Sequence, residues 1–255
     1  LTEENSVLKA GKGSLSYDGM FLMLHLCLSQ LNSMNLSLIQ SSIESYKKSL
    51  KESSELWEIC KDVSDLHRAW WGSEDAVLLE YSKLYGVFIT KWWPEHRNAI
   101  KRMEHYIEAS DDMIRAMFDD LLSEAKDISG RVGRFIHHCD TLYKHDRRKT
   151  VHTLDHGHGD KQLIFLYLST LLPAQYMPYD HKAMSEFLSV VGSKSALIES
   201  DTDRYVKVSR SLCKFMRKDD DLVRLVDEQV ALHGSSEDAY WLMMTYGMVL
   251  QKSSS

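Results

Sequence analysis

The chain has few of the residues that break helices or tie chains together. It holds only three prolines in 255 residues, Pro94, Pro173 and Pro178. Each stands between apolar-periodic segments, because inside a helix proline would remove a backbone donor and clash with the turn before it. Its four cysteines, Cys27, Cys60, Cys139 and Cys213, lie far apart among apolar neighbours. No Cys-x-x-Cys pair forms, so buried thiols are expected rather than disulfides or a paired-cysteine metal site. No apolar run approaches the roughly 20 residues that cross a bilayer. The opening LTEENSVLKAGKGS lacks the basic and apolar blocks of a secretion signal, so a cytoplasmic location without membrane contact is expected. It also begins without Met, which reads as a piece of a longer protein or a processed or unusually started one.

Phosphate loops are missing too. The GKGS at 11–14 resembles the end of one, but the upstream glycine, the strand before it and the apolar helix after it are lacking. No His-Glu-x-x-His occurs, and no alternating strand flanked by turns can be found. A formal net charge of −6 argues against a large, uniformly basic surface for nucleic acid and leaves room for a local patch.

What the chain does have is helical periodicity. With 44 % apolar and 27 % charged residues it has the balance of a globular protein with a sizeable core. The run Leu163 to Leu172 has almost no polar break and reads as a helix buried on all sides, stopped by Pro173. Asp180 is placed to cap a second helix, in which Met184, Phe187, Leu188 and Val191 recur at i, i+3, i+4, i+7 before Gly192. Around this pair the spacing predicts further helices. Their stripes are Phe21 to Leu31, Ile39 to Leu50, Trp57 to Trp70, Val77 to Phe88, Ile100 to Ile107, Ile114 to Leu122 and Val132 to Tyr143. Beyond Gly192 come Tyr205 to Met216, Leu222 to Val230 and Tyr240 to Met248. In the Val77 to Phe88 helix, Leu84 is counted with the apolar face; that helix is taken to start at Ser73, and the Val132 to Tyr143 helix around Ser129-Gly130. The expected fold is all-α, with about nine to eleven helices. Residues 1–16 form a lead-in, 17–252 the helical domain and 253–255 a tail; the domain is one unit or two packed subdomains meeting near Trp93.

Candidate chemistry is sparse. Trp92 and Trp93 beside Pro94 could form an aromatic platform for a base, or plug the junction between helical layers. The basic run Lys144, Arg147, Arg148 and Lys149 could bind phosphate backbone, or be a wet loop. These six residues are the candidate nucleic-acid contacts. The polar stretch 144–160 and the end of the helix before it carry His137, His138, His145, Asp146, His152, Asp155, His156, His158 and Asp160. Such a density of imidazoles and carboxylates could hold a divalent metal. Gly157 and Gly159 argue against a helix there, and a solvated loop is the expectation. No catalytic residue, metal ligand or cofactor is assigned.

Three resemblances bear on function. The sequence LIFLYLSTLLPAQYMPYD, then MSEFLSVVG, DRYVKVSRSLCKFM and YWLMMTYG, resembles the helical region that precedes the AAA+ motor in relatives of McrB, the GTPase of modified-cytosine-dependent restriction systems. The corner Pro-x-x-Tyr-x-x-Tyr of that region reads Pro173, Tyr176 and Tyr179 here, and the likeness spans about residues 75 to 250. It implies a non-catalytic helical module of an anti-phage defence system. Such a module would bind DNA or a partner protein, an AAA+ motor or a nuclease subunit. The motor is absent from this chain, so no nucleotide hydrolysis is implied. An Arg four to six residues before a His, as in Arg131 to His137 and Arg147 to His152, resembles the pattern of HEPN ribonucleases, in which Arg would stabilise phosphate charge and His act as acid or base. His145-Asp146 resembles the metal-binding dipeptide of helical phosphohydrolases, though there it ends an apolar helix. A ribonuclease or metal-dependent phosphohydrolase using the 137–158 region is the alternative reading.

Overall fold

The structure is a computed structural model that describes residues 34–52, 55–71, 78–145, 156–233 and 238–253. The Phe21 to Leu31 stripe, Cys27, Ser73 and the segment 146–155 lie outside the described residues. Eleven α-helices and one short 3-10 turn are found among those described, with no strand, so the fold is all-α as the periodicity predicts. In chain order the helices are α1 (Leu36–Glu52), α2 (Glu55–Trp71), α3 (Leu78–Trp92), α4 (Arg97–Ala109), α5 (Asp111–Leu122), α6 (Ile128–His145), α7 (Lys161–Leu171), α8 (His181–Val190), α9 (Thr202–Met216), α10 (Asp220–His233) and α11 (Asp238–Ser253). No helix among the described residues is long and apolar enough to cross a membrane.

α7 sits at the middle because it has no polar side to give to water. Every residue from Leu163 to Leu171 is buried, and each Leu- or Phe-sized side chain so removed from water contributes about 1.5–3 kcal/mol. α2, α5 and α11 pack around it. At its start Asp160 accepts the Gln162 N–H, and at its end the Leu171 carbonyl accepts from His67 Nδ1 at 3.1 Å and from Trp71 Nε1 at 2.9 Å. The apolar-face histidine of α2 is therefore a hydrogen-bonded packing residue. α11 is the second hub and touches α1, α2, α7, α8 and α9.

The corner after α7 is built by aromatic rings. Tyr176 is buried between the guanidiniums of Arg131 and Arg210, 5.7 and 5.2 Å from its ring centre, and its hydroxyl accepts from Arg131 Nη2 at 2.5 Å. Tyr179 packs on Tyr205 at 4.5 Å and on Phe165 at 5.3 Å. Asp180 then caps α8 by accepting the Ala183 N–H at 2.8 Å, and Met184, Phe187, Leu188 and Val191 are all buried, as their spacing predicts.

α6 begins at Ile128, as expected around Ser129-Gly130, and Asp127 accepts the Gly130 N–H at 2.6 Å at its start; a carboxylate accepts these amides as well as a hydroxyl does and adds charge. One expectation fails in detail. Leu84 lies off the buried face of α3 and is 52 % exposed, while Tyr81, Tyr85 and Phe88 are buried. The buried side chains form one contiguous core that includes Trp93.

Candidate functional site

Two regions invite a functional reading, one closed and one open. The closed one joins α6 to the segment leading into α7. Cys139 lies on the buried face of α6, and His156 and His158 stand either side of Gly157 just before α7. The solvated-loop expectation fails for these two histidines. His156 is 4 % exposed and His158 is wholly buried. Gly157 makes this possible, because it adopts φ +73° and a Cβ on it would stand 2.7 Å from Ala99 Cβ of α4. Only glycine takes that backbone conformation freely while allowing so close an approach.

The ring nitrogens are oriented by fixed partners. The His158 N–H donates to His156 Nδ1 at 2.9 Å, and since a backbone N–H can only donate, Nδ1 carries no proton. The other nitrogen, Nε2, then donates to Asp140 Oδ1, also at 2.9 Å. His158 Nδ1 is 2.9 Å from the His156 carbonyl, which can only accept, so its lone pair is on Nε2, 3.4 Å from the Tyr167 hydroxyl. The two imidazoles stack at 5.8 Å, and His158 stacks on Tyr167 at 6.2 Å. Burial pushes the His158 imidazole down to about 3 and the Cys139 thiol upward. Cys139, His156 and His158 each place a donor atom within 4.8 Å of the other two. A thiol and two imidazoles are donors suited to a divalent transition metal.

The open region is the outer side of α3. Leu84 and Val87, three residues apart, are 52 % and 72 % exposed and form a ridge with a groove on each flank. Toward α4 the groove holds about 440 Å³; Val87 and Ile100 supply apolar lining, and Lys83, Arg97 and Lys101 stand with a single acid, Glu104, while Lys91 turns away to pair with Glu58 and Asp62. Toward α2 it holds about 330 Å³, with Leu66, Ala69 and Phe88 as apolar lining and a rim of ion pairs, Asp62 with Lys91 and Asp65 with Lys61 and Arg68.

The candidate nucleic-acid contacts fall in different places. Trp93 is buried in the core against Phe88 at 5.5 Å. Trp92 is half-buried; its Nε1 donates to Asp62 at 2.8 Å and Lys91 Nζ lies 4.2 Å above its ring. It therefore sits at the rim of the α2 groove. Lys144 is exposed near the end of α6, while Arg147, Arg148 and Lys149 lie outside the described residues. Of the Arg-His pairs, Arg131 is buried and committed to the Leu121 carbonyl and Tyr176, whereas His137 is exposed on the same helix. They do not face one surface. His152 and Asp146 lie outside the described residues, and His145 ends α6 exposed.

The chain matches no family model, no curated protein and no solved structure at a significant level.

Proposed function

We propose that this chain is a non-catalytic helical module that docks a partner protein through the ridge and grooves of α3. The observation that carries this reading is the exposed Leu84–Val87 pair, flanked by a cationic groove on one side and a groove rimmed by ion pairs on the other. Large apolar side chains grouped on a surface and rimmed by charge mark interaction sites. Nucleic acid would suit the Lys83, Arg97 and Lys101 side but would leave the apolar Leu84–Val87 ridge unused. An amphipathic helix with an apolar stripe beside an acidic edge suits the ridge and the cationic groove together. The sequence pattern around Pro173, Tyr176 and Tyr179, which resembles that of McrB relatives, is what points to an AAA+ motor of anti-phage defence as the partner that carries this helix.

The test is purification of the chain from its native host in mild salt, beside the double variant Leu84→Glu, Val87→Glu, with mass spectrometry of what accompanies each. Both positions are exposed, so the variant should keep the wild-type thermal midpoint. An AAA+ subunit recovered with the wild type and lost from the variant supports the reading. Equal recovery with both proteins, or DNA in place of a protein, overturns it.

A further inference from the structure

We propose that Cys139, His156 and His158 form a binding site for one zinc-class divalent cation that fastens the segment before α7 to α6. The three donors lie within 4.8 Å of one another and are buried. A tetrahedral zinc, with bonds of about 2.0 Å to nitrogen and about 2.3 Å to sulfur, needs its donors about 3.3–3.6 Å apart, so a small adjustment suffices. The donor set selects the class, since hard cations such as magnesium and calcium take oxygen, while thiolate with imidazole suits zinc and its neighbours.

The outer partners are those that metal-bound histidines require. A ligating imidazole typically donates its second N–H to a carboxylate or a backbone carbonyl, which fixes the ring. Here His156 Nε2 is held by Asp140, and His158 Nδ1 by the His156 carbonyl. Each ring therefore has one nitrogen fixed in advance and a second left as the candidate ligand atom. For His158 that atom is Nε2, which carries a lone pair. For His156 it is Nδ1, and metal binding would exchange the hydrogen bond from the His158 N–H for a coordinate bond. The thiol of Cys139 loses its proton to solvent as the metal–sulfur bond forms, and no oxidation is involved. The half-exposed Asp140 carboxylate offsets part of the remaining positive charge. Water or the Tyr167 hydroxyl is left for the fourth position.

A purely structural hydrogen-bonded network would use the same imidazole contacts but has no use for the thiol. The experiment therefore follows sulfur. The full chain is stripped with chelator, titrated with Co²⁺ and read by the thiolate-to-cobalt charge-transfer band and the d–d bands of four-coordinate cobalt, with metal content measured before stripping. One equivalent of Co²⁺ with a charge-transfer band is expected, displaced by Zn²⁺ and abolished in Cys139→Ser. Asp140→Asn should weaken the affinity about 10–100-fold while leaving the band in place. If Cys139→Ser does not fold, the wild-type titration and Asp140→Asn decide. A folded wild type that takes up no Co²⁺ with sulfur charge transfer, or an Asp140→Asn variant with unchanged affinity, overturns the proposal. The outcome is independent of the docking reading.

Discussion

The hydroxyl of Tyr205, on α9, donates to the Pro178 carbonyl at 2.6 Å. The same oxygen accepts the Asp180 N–H at 3.1 Å. One buried hydroxyl thus satisfies two backbone groups that the proline corner leaves outside any helix. Replacing Tyr205 by Phe keeps the ring packing on Phe165 and Tyr179 and removes only this oxygen. We expect a loss of about 1–3 kcal/mol, the range for leaving a buried polar group unpaired. Urea denaturation measures it, and a change of only a few tenths would mean that water takes the place of the hydroxyl.

Gly247 gives a prediction whose sign runs against helix propensity. It lies within α11, where Gly→Ala ordinarily gains about 1 kcal/mol. A Cβ here would stand 2.3 Å from the Tyr46 hydroxyl and 3.2 Å from Leu56 Cδ2. Tyr46 is 4 % exposed and its ring is hemmed in by core, so it cannot swing away. Overpacking of this kind costs about 1–3 kcal/mol, and the net effect of Gly247→Ala should be destabilising. A raised thermal midpoint would show that α1 and α11 can separate without loss.

Alkali should weaken the fold over a defined range. Burial pushes Tyr179 up to about 12 and Tyr46, Tyr85, Tyr167 and Tyr205 well above the ordinary value. In the unfolded chain tyrosine loses its proton near pH 10. Above that value the unfolded chain has released protons that the folded chain still holds, so raising the pH favours unfolding. The tyrosine contribution is complete below about pH 10 and is lost as pH climbs toward about 12. Urea midpoints taken across this range, together with tyrosinate absorbance, should fall and rise in one step. Absorbance that rises before the midpoint moves would place these hydroxyls in water.

Much of the fold could be read from single residues. Asp180 reads as a cap and is one, and the polar-free run of α7 reads as a buried centre and is one. Periodicity identifies side chains that share a stripe, but which part of a wide stripe finds a partner depends on where neighbouring helices lie. Leu84 shows this, since it shares the apolar stripe of α3 yet meets water. The closed site was less legible for a related reason. Cys139 reads correctly as a helix-face thiol, but the polar stretch 144–160 that holds both histidines reads as wet loop. Nothing local says that His156 and His158 turn inward against it. The one clue was Gly157 between two histidines, directly before the cap at Asp160.

The position of α11 bears on how the protein is made. Its partners include α1 and α2 at the other end of the described chain. On a ribosome those first helices emerge long before the helix that covers them has been synthesised. The parts of their apolar faces that α11 covers must wait through most of translation, although α2 also meets α3 and α7 earlier, and contacts of such long sequence separation form slowly once they can form at all. A translational pause before residue 238 would therefore prolong the exposure of the α1 face that α11 covers.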